Sequence, residues 1–359
     1  MGNRTVIPFG PQHPVLPEPI HLDLVLEDER VIEAVPQIGY IHRGLEKLVE
    51  KKDFKQYMFV AERICGICSF IHSAGYCISI EKMMNIEVPM RASFLRTMWS
   101  ELSRIHSHVL WLGLLADGFG FESIFMHTWR LREQILDIFE ETTGGRVIFS
   151  ACDIGGVRKD VSNEVLEKIK SRMFTFEKEL KEITDVVLND TSVKHRTQGV
   201  GILSKEAAHA LGAVGPTARA SGIGQDLRTS GYAAYGELDF TPITATAGDC
   251  YTRAVVRIKE IFQSVDLIKQ CIDKMPEGPV MAEYKGLPDG EVFMRLEQPR
   301  GEVMYYAKGN GSRFLERYRV RTPTFANLAP LLEMLKGCSL ADVPVIVLSI
   351  DPCISCTER

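Results

Sequence analysis

Apolar and polar side chains alternate near the start of the chain, from His21 to Glu27 and again from Arg30 to Val35. A period of two residues is typical of a strand that buries one face. Two such runs, separated by a few polar residues, predict a short antiparallel hairpin that turns around Glu27 to Glu29.

Three later segments change to the three- and four-residue spacing of an amphipathic helix. They run from Ser93 to Leu115, from about Val161 to Leu188 and from Thr252 to Lys274. The first has few charged residues, which predicts a mostly buried helix. The second carries many Lys and Glu residues beside its apolar stripe, so we expect one of its faces to be solvated.

The remaining segments predict shorter elements. The stretch from Gly199 to Thr246 is rich in Gly, Ala, Ser and Thr, which indicates ordered loops packed against the core. Strand-like runs follow at Val303 to Ala307 and Arg317 to Val320, then a helix from Asn327 to Lys336. A final apolar strand is predicted at Val343 to Ile350.

This order of elements predicts an α+β fold that is predominantly α, a long helical bundle with small antiparallel sheets at its periphery. A length of 359 residues would by itself suggest about two domains. Because the chain shows no internal repeat, no low-complexity segment and no linker, we instead expect residues 1–359 to form a single domain.

Composition and charge exclude several classes of function. The chain is 45% hydrophobic and 25% charged, as in ordinary globular proteins, and its formal net charge is -5. Without a dense run of Lys and Arg, binding to nucleic acid or to an anionic membrane surface is not expected. The start has no apolar signal region, and the longest apolar stretches fall far below the ~20 residues needed to cross a bilayer. We therefore expect a soluble or peripheral protein.

Nine cysteines and no export signal fit a reducing compartment, where thiols serve as metal ligands or as buried small residues. Four of the nine form two Cys-x-x-Cys pairs, Arg63-Ile-Cys65-Gly-Ile-Cys68 and Asp351-Pro-Cys353-Ile-Ser-Cys356. This spacing lets both thiolates of a pair bind one metal across a tight turn. Either pair alone also fits a zinc knuckle, a redox pair or coincidence.

The combination of the two pairs is more informative. Zinc ribbons place their second pair roughly 15–20 residues after the first, whereas here almost the whole chain lies between them. If the four thiolates share one site, the two ends of the chain must meet and the domain is interlaced. Four thiolates suit Ni, Fe, Zn or Cu(I) and exclude Mg and Ca, but the chemistry alone does not choose among the four.

Taken together, the two motifs, with His72 shortly after the first, resemble the paired signatures of nickel-iron hydrogenase large subunits. The resemblance implies that all four cysteines bind nickel, that Cys68 and Cys356 also bridge to iron, and that the iron carries CO and CN ligands. His72 is then expected to donate a hydrogen bond to the thiolates or to the backbone. A buried core histidine without a chemical role is the alternative.

Other motifs are similar to those of the 49-kDa subunit of respiratory complex I, which shares this ancestry but lacks the four metal cysteines. They are Gly10-Pro-Gln-His13-Pro, His42-Arg43-Gly44-Leu-Glu46, Gly215-Pro-Thr-Ala-Arg219, Asp226-Leu-Arg228 and Gly248-Asp249-Cys-Tyr-Thr-Arg253. A hydrogenase with these motifs resembles the membrane-bound, energy-converting group 4, and at this length most of all its compact Ech type. The resemblance covers essentially the entire chain.

The family resemblance also implies residues above the metal. Arg300, in Gln298-Pro299-Arg300-Gly301, is similar to an arginine whose guanidinium hangs over the open metal position. Asp117, after the long apolar helix, corresponds to an aspartate that partners this arginine. The alternatives are a surface arginine after a turn proline and a simple helix-end aspartate beside Gly118.

Heterolytic cleavage of H2 releases a proton, so a base must lie near a thiolate or the arginine. Many hydrogenases use a glutamate in an N-terminal Glu-Gly-His motif, but this chain has Pro11-Gln12-His13 there. Glu18 is therefore the first candidate, by resemblance to the membrane-bound group, and Glu62 beside the first cysteine pair is the second. An ordinary solvated loop carboxylate is the alternative for Glu18.

Glu46 resembles the carboxylate that binds a structural magnesium or iron near the chain terminus in relatives. The usual partner there is a histidine three residues after the last cysteine, and this chain has Arg359 at that position. Two arrangements stay open, an auxiliary ion or a direct pair between Glu46 and Arg359. Relatives also lose a C-terminal extension after nickel insertion, and because the sequence stops where that cut would fall we expect a mature form.

The expected reaction is the reversible conversion of H2 to two protons and two electrons. Because the chain has no spare set of cysteines for an Fe-S cluster, electrons are expected to leave through a small subunit carrying a [4Fe-4S] centre. The resemblance further implies ferredoxin, membrane subunits that translocate ions, and a peripheral place on the cytoplasmic face of the membrane. The alternatives are a subunit of a formate- or CO-linked complex and a non-redox, zinc-bearing structural subunit of a complex-I-like assembly.

Overall fold

A computed structural model describes residues 4–359. A three-stranded antiparallel sheet opens the fold, with strands in the order β1, β2, β3. Its strands are β1 (Arg4–Phe9), β2 (His21–Glu27) and β3 (Arg30–Gln37). The predicted hairpin is confirmed, and Asp28 and Glu29 at its turn both adopt positive φ, as the tight turns of two-residue hairpins require.

Four long helices form the centre of the molecule: α3 (Met90–Gly118), α4 (Glu122–Thr143), α5 (Asn163–Asn189) and α9 (Cys250–Asp273). Helix α3 packs against α4 and α9, and α5 packs against the same two helices, which closes a bundle. Two shorter helices, α1 (Phe54–Glu62) and α2 (Ser69–Met84), precede them in the chain. All three long helices predicted from periodicity are confirmed, and α3 is buried over most of its length.

Short elements connect the long helices. A two-stranded ribbon follows α4, one short α-helix follows α5, and two more short α-helices lie within the region from Gly199 to Thr246 that was predicted as ordered loops. These elements are β4 (Cys152–Asp153), β5 (Gly156–Val157), α6 (Thr191–Thr197), α7 (Lys205–Ala210) and α8 (Gly215–Arg219).

A second three-stranded antiparallel sheet, in the order β6, β7, β8, packs on α2. The C-terminal elements are β6 (Asp289–Gln298), β7 (Gly301–Asn310), β8 (Arg317–Arg321), α10 (Pro323–Ala326), α11 (Leu328–Leu335), α12 (Val343–Ser349) and α13 (Ile354–Thr357). The predicted strands and the helix before Lys336 are confirmed, and so is the predominantly α fold with peripheral antiparallel sheets.

The prediction of a final strand at Val343 to Ile350 is wrong, because this segment is helix α12. A short apolar run has no polar position from which a period could be read, so a buried helix and a buried strand look alike in the sequence. Pro344 favours the helix, since proline fits the first helical turn but cannot donate a hydrogen bond to a sheet. Helix α12 packs against α3, α9 and α11, which places the following residues in the core.

Among residues 4–359, no helix is long and apolar enough to span a bilayer.

Candidate metal centre

The two Cys-x-x-Cys pairs meet in the structure. The Sγ atoms of Cys65, Cys68, Cys353 and Cys356 all lie within 4.8 Å of one another, and all four side chains are buried. Across the two motifs, Cys65 Sγ is 3.4 Å from Cys353 Sγ and Cys68 Sγ is 3.3 Å from Cys356 Sγ. Within residues 4–359, this is the one set of metal-binding side chains close enough to share an ion. The predicted convergence of the two ends of the chain is confirmed.

Local structure explains how each pair turns toward the other. The first pair lies in the loop between α1 and α2, and Cys68 caps the N-terminus of α2. The backbone N–H groups of Ile67 and Cys68 donate to Cys65 Sγ at 3.2 and 3.3 Å. The second pair follows α12, and Cys353 caps the short helix α13 that carries Cys356. Each pair thus lies at the N-terminal end of a helix.

Arg43 holds the two loops together. Its guanidinium donates to the backbone carbonyls of Arg63 and Ile64 beside the first pair, at 3.1 and 3.0 Å, and to that of Ser355 inside the second pair, at 2.8 Å. The planar fork of an arginine suits this use, since it presents several donors in fixed directions. The sequence motif containing Arg43 was recognised, but nothing in it pointed to this contact.

The four thiols do not share one electrostatic environment. The pKa of Cys65 is well below its ordinary value because the thiols of Cys353, Cys356 and Cys68 hydrogen bond to it, and the positive charge of Arg300 acts in the same direction. Burial raises the pKa of Cys356 well above its ordinary value. When no metal is bound, the cluster therefore favours a thiolate at Cys65 and protonated thiols at the other three cysteines. A soft cation that displaces those protons satisfies all four sulfur atoms at once.

Arg300 lies beside this cluster and is buried. Its Nε donates to the backbone carbonyl of Asp351 at 2.8 Å, its Nη2 to the Asp351 carboxylate at 2.8 Å, and its Nη1 to Ser107 Oγ at 3.1 Å. Burial acts to lower the pKa of Arg300, but Asp351 and the thiols of Cys353 and Cys68 outweigh it and hold the guanidinium charged. A permanent cation thus stands next to the thiolate site.

The predicted partner of Arg300 requires a correction. Asp117 lies exposed in the last turn of α3 and forms no hydrogen bond with Arg300 among the described residues. The last buried positions of that helix are Leu115 and Ala116, so the following side chain is directed away from the core. Asp351 pairs with Arg300 instead. Its place directly before Pro352-Cys353 was a usable signal, because any residue there must lie close to the metal ligands.

Asp351 is also unusual in its backbone. It adopts the left-handed conformation with a φ of 56°, directly after the C-terminal end of α12. Aspartate tolerates this conformation better than most residues other than glycine. The turn at this position brings both the carbonyl and the carboxylate of Asp351 to the same guanidinium.

Glu18 contacts the second cysteine loop directly. One oxygen of its carboxylate accepts hydrogen bonds from the backbone N–H of Ile354 and, at 3.0 Å, from the backbone N–H of Ser355. The other carboxylate oxygen accepts a hydrogen bond from the Ser355 hydroxyl. Glu18 also lines an open cleft of about 420 Å³ formed by the loop between β1 and β2, together with Gln12 and His13. The half-buried carboxylate therefore lies between the metal loop and the surface.

Glu62 is placed differently from Glu18. It is buried at the end of α1, and its two oxygens accept hydrogen bonds from the backbone N–H and the hydroxyl of Ser150, both at 2.7 Å. Both oxygens are thus engaged in fixing the loop before β4. Glu62 is close to the first cysteine pair in sequence, but among residues 4–359 its carboxylate forms no hydrogen bond with a thiol.

His72 bridges the cluster and the second sheet. Its Nε2 is 3.3 Å from Cys356 Sγ and 3.1 Å from the side-chain amide nitrogen of Gln298, while its Nδ1 is 3.1 Å from the Tyr305 hydroxyl. Burial lowers the pKa of His72 to about 4, so the ring is neutral at neutral pH. The predicted contact with the thiolates is present, and the ring orients Cys356 without adding a charge.

Glu46 is hydrogen bonded to two arginines. One of its oxygens accepts from Arg359 Nε at 2.9 Å and from the Val320 backbone N–H at 2.9 Å, and the other accepts from Arg319. Burial raises the pKa of Glu46, but these hydrogen bonds outweigh it and lower the pKa below its ordinary value. Of the two arrangements left open by the sequence, the direct pair with Arg359 is the one found here.

We expect Glu46→Gln to lower the free energy of unfolding by about 2 kcal/mol at pH 7, since each hydrogen bond to a charged group contributes roughly 1.5–3 kcal/mol. Because the folded-state pKa of Glu46 is lowered, its contribution is present above the unfolded pKa near 4.5 and is lost as pH falls through the folded value. The difference between the two proteins should therefore narrow below about pH 4.5. Denaturant unfolding as a function of pH measures it, with Glu50→Gln, an exposed pair with Lys47, as the control.

The donor set fits a soft or borderline metal. Four buried thiols with no carboxylate among them offer nothing to Mg or Ca, whereas thiolates bind nickel, iron and zinc. The neighbouring cation Arg300 stabilises negative sulfur.

Comparison with known proteins decides the family. Residues 118–287 and 283–359 match the family described as the 49-kDa subunit of respiratory-chain NADH dehydrogenase, and residues 43–116 match that described as nickel-dependent hydrogenase. The chain belongs to this hydrogenase and complex I family. The two matches meet at the end of α3, so the first cysteine pair falls in the hydrogenase-like part and the second in the complex-I-like part.

Relatives of the family cover almost the whole chain. The membrane-bound hydrogenase subunit alpha of Pyrococcus furiosus is 40% identical over 98% of this chain and 87% of its own length. The carbon monoxide-induced hydrogenase of Rhodospirillum rubrum is 38% identical over 98% and 99%. One subunit of the F(420)H(2) dehydrogenase of Methanosarcina mazei is 37% identical over 100% and 98%. The family thus includes both hydrogenases and dehydrogenase subunits.

Proposed function

We propose that this protein is the catalytic large subunit of an energy-converting [NiFe] hydrogenase, which interconverts H2 with two protons and two electrons. The observation that carries the proposal is the buried cluster of Cys65, Cys68, Cys353 and Cys356, with all four Sγ atoms within 4.8 Å of one another. Hydrogenases and dehydrogenase subunits are both among the relatives, and a preserved four-thiol site favours the hydrogenase function.

In this proposal the four cysteines would hold a nickel-iron centre, Cys68 and Cys356 would be the ligands shared by both metals, and CO and CN would complete the iron. The close approach of the sulfur atoms across the two motifs, at 3.4 Å for Cys65 and Cys353 and 3.3 Å for Cys68 and Cys356, supports one shared site but does not distinguish the bridging pair. When bound, the Ni-Fe centre supplies the site at which H2 is cleaved. The protein's own part is to hold the thiolates, exclude water and accept the proton.

Arg300 contributes a fixed positive charge beside the reacting position. Its buried guanidinium is held by Asp351 and Ser107, so it requires no rearrangement during the reaction. The protein environment also keeps water out, since the cysteines, His72 and Arg300 are all at most 3% exposed.

Glu18 is the proton acceptor in this proposal, in preference to Glu62. The Glu18 carboxylate lies against Ile354 and Ser355, between the two cysteines of the second pair, and it opens onto a cleft at the surface. A base placed in this way can take a proton from a sulfur ligand and pass it to solvent. Glu62 is instead buried, and its carboxylate hydrogen bonds to Ser150 rather than to the loop of the second cysteine pair.

We expect Glu18→Gln to lower hydrogen turnover by about 100-fold while nickel and iron are retained, because general bases contribute roughly 10²- to 10⁴-fold. The amide preserves shape but cannot accept the proton. Exchange of D2 with water by the purified complex measures the step directly. Glu62→Gln is the matched control and should change turnover less than about 3-fold even if stability falls. A larger loss in Glu62→Gln than in Glu18→Gln would reverse the assignment.

The auxiliary magnesium or iron ion of relatives does not suit this chain. Glu46 has Arg359 and Arg319 as its partners, and among residues 4–359 no second group of metal-binding side chains surrounds it. In the proposed enzyme the Arg359 guanidinium takes the place of that ion and ties the second cysteine loop to β8.

The partners in this proposal are a small subunit with a [4Fe-4S] centre that exchanges electrons with ferredoxin, and integral membrane subunits that couple the reaction to ion translocation. The relatives named as a membrane-bound hydrogenase subunit and as a hydrogenase-4 component support a multi-subunit membrane assembly. The chain would lie peripherally on the cytoplasmic face of the membrane. A formate- or CO-linked complex would differ in its partners more than in this chain.

A second function is favoured by a different observation. Subunits of NADH-quinone oxidoreductases and of the F(420)H(2) dehydrogenase are also among the relatives. In this alternative the four thiols hold zinc and the chain is a structural part of a complex-I-like assembly.

The two functions predict different infrared spectra. In the purified complex, the hydrogenase should show the bands of iron-bound CO and CN and should exchange D2 with water. If cells grown with excess nickel and iron yield an intact complex without these infrared bands and without D2 exchange, that result would support the structural function instead.

A further inference from the structure

Arg219, on α8, is the centre of a group of buried charges separate from the cysteines. Its Nε donates to Glu260 at 2.8 Å, its Nη1 donates to Glu297 at 2.8 Å, and the same Nη1 is 3.5 Å from Asp226. All these side chains are at most 2% exposed. Three carboxylates therefore share one guanidinium.

Two of the three carboxylates have further donors of their own. Asp226 is paired with Arg228, whose Nη2 donates at 2.8 Å, and Glu260 accepts from His108 Nε2 at 3.1 Å. Among residues 4–359, the Glu297 carboxylate has only its share of Arg219 and, at 3.1 Å, the backbone N–H of Leu227. Glu297 is thus the carboxylate with the least compensation.

The other charges around Glu297 do not remove this deficit. Arg104, on α3, donates to the backbone carbonyls of Glu297 and Gln298 at 3.2 and 3.1 Å, and its Nε faces Glu101 at 3.4 Å. Its guanidinium is therefore shared with Glu101 and makes no hydrogen bond to the Glu297 carboxylate.

Glu302 stands opposite Glu297 in the register of β6 and β7, which places a further acid on the same face. Glu302 is paired with Arg295 at 2.6 Å and Arg321 at 3.4 Å, so those arginines are committed elsewhere. Burial raises the pKa of Glu297 to about 7, and the negative charge of Asp226 acts in the same direction. A carboxyl group with this environment gains and loses a proton near neutral pH.

Glu297 also lies in a position to affect the metal site. It precedes Gln298, whose amide nitrogen is 3.1 Å from His72 Nε2, the ring nitrogen that faces Cys356. Arg300 follows at the same turn between β6 and β7. On its other side the network borders the surface, because Arg219 Nη1 donates to the backbone carbonyl of Gln225, an exposed residue, at 3.0 Å.

We propose that Glu297 is the proton-holding residue of this buried network, exchanging one proton with solvent past Gln225 and acting on the metal site through the turn that carries Gln298 and Arg300. The inference rests on the proposed hydrogenase function. Glu297 is a positioning residue, since it touches neither the cysteines nor the reacting position. The step is the addition of one proton to the Glu297 carboxylate, and no electron is transferred. One negative charge is thereby removed from the start of the turn between β6 and β7.

The test is infrared difference spectroscopy of the full chain as a function of pH. The C=O stretch of a protonated carboxyl group should be present at pH 6, decrease with a midpoint near pH 7 and shift in D2O. The band should be absent in Glu297→Gln and displaced but still titrating in Glu297→Asp. The matched control is Glu260→Gln, which alters the same partner Arg219. Glu260 stays ionised because Arg219 and His108 outweigh its burial and lower its pKa to about 2, so the band should persist there. Its midpoint should be lower than in the unaltered chain, because Arg219 is then shared by two carboxylates instead of three.

Stability supplies a second readout. Because the folded-state pKa of Glu297 is raised, the folded protein holds a proton that the unfolded chain releases, so this contribution is full below the unfolded pKa near 4.5 and is lost as pH rises through about 7. Glu297→Gln should abolish this part of the pH dependence of unfolding.

Two infrared results would overturn the proposal. One is the absence, in the unaltered chain, of a carboxyl band that titrates near neutral pH, which can be observed even if Glu297→Gln does not fold. The other is loss of the band in Glu260→Gln. The chain prepared without nickel should give the same band, so this result stands apart from the test of hydrogenase function.

Discussion

The Cys356→Ser variant is expected to retain its fold but to lose nickel, iron and all measurable hydrogen turnover. Cys356 has two close contacts in the cluster, with Cys68 Sγ at 3.3 Å and with His72 Nε2 at 3.3 Å, so the hydroxyl would replace a sulfur at the centre of the site. Changes to residues that merely support a metal ligand cost roughly 10- to 100-fold in affinity or activity, and loss of a ligand should cost more than that. Serine is also a much harder donor and ionises far less readily than a thiol.

Cys338→Ser is the matched control for this variant. Cys338 is a partly buried free thiol that lies outside the cluster, so its replacement should leave metal content and turnover unchanged within about 2-fold. Metal analysis of both variants, together with H2-dependent dye reduction, measures the outcome. Retention of nickel and of more than about a tenth of the turnover in Cys356→Ser would show that the four cysteines are not the catalytic ligands.

The Arg300→Lys variant is expected to bind nickel and iron normally but to lose about 10²- to 10³-fold in turnover. Removal of one fixed donor from an electrostatic site typically has an effect of this size. Lysine keeps the positive charge but cannot reproduce the planar set of bonds to the Asp351 carbonyl, the Asp351 carboxylate and Ser107. The charge would therefore move away from its present position beside the cysteines.

Removal of the charge should also affect stability. Arg300→Met leaves the Asp351 carboxylate buried without its cation, and breaking a buried pair in this way costs roughly 3–5 kcal/mol. The double variant Arg300→Met, Asp351→Asn should recover part of that stability without recovering turnover. If the double variant instead recovered turnover, Arg300 would act only by balancing Asp351.

Several elements of the fold could be predicted because their patterns are long. The helices from Ser93, from Val161 and from Thr252 each repeat their apolar spacing over more than five turns, and neighbouring contacts cannot easily override such a signal. The segment from Val343 to Ile350 has no such pattern, and its state is decided by the helices around it. The single interlaced domain over residues 1–359 stays a prediction, which the meeting of the two cysteine pairs supports.

At the metal site, spacing indicated the ligands but not their surroundings. The two cysteine pairs were visible as motifs, whereas Asp351, Arg43 and Gln298 acquire their positions from turns and contacts between distant segments. Asp117 was assigned by position in a motif alone, and the last turn of α3 places it at the surface. A charge at a helix end gives no indication of which way the side chain points.

The buried charges around Arg219 show a similar limit. Glu101, Arg104 and His108 are charged or titratable residues in a helix predicted to be mostly buried, which is itself a signal, since such residues are rarely buried unless paired. Their partners lie on α9, at the end of β6 and in the loop that carries Arg228, and no spacing within the sequence links these elements. The pairing is visible only once the bundle has formed.

Metal analysis of the purified chain, isolated with its partner subunits, decides whether Cys65, Cys68, Cys353 and Cys356 bind a nickel-iron centre. We expect one nickel per chain at this site, together with one iron beyond the iron of the small subunit's cluster, and loss of both in the Cys356→Ser complex. Stoichiometric zinc without nickel, lost in the same variant, would contradict the nickel-iron assignment.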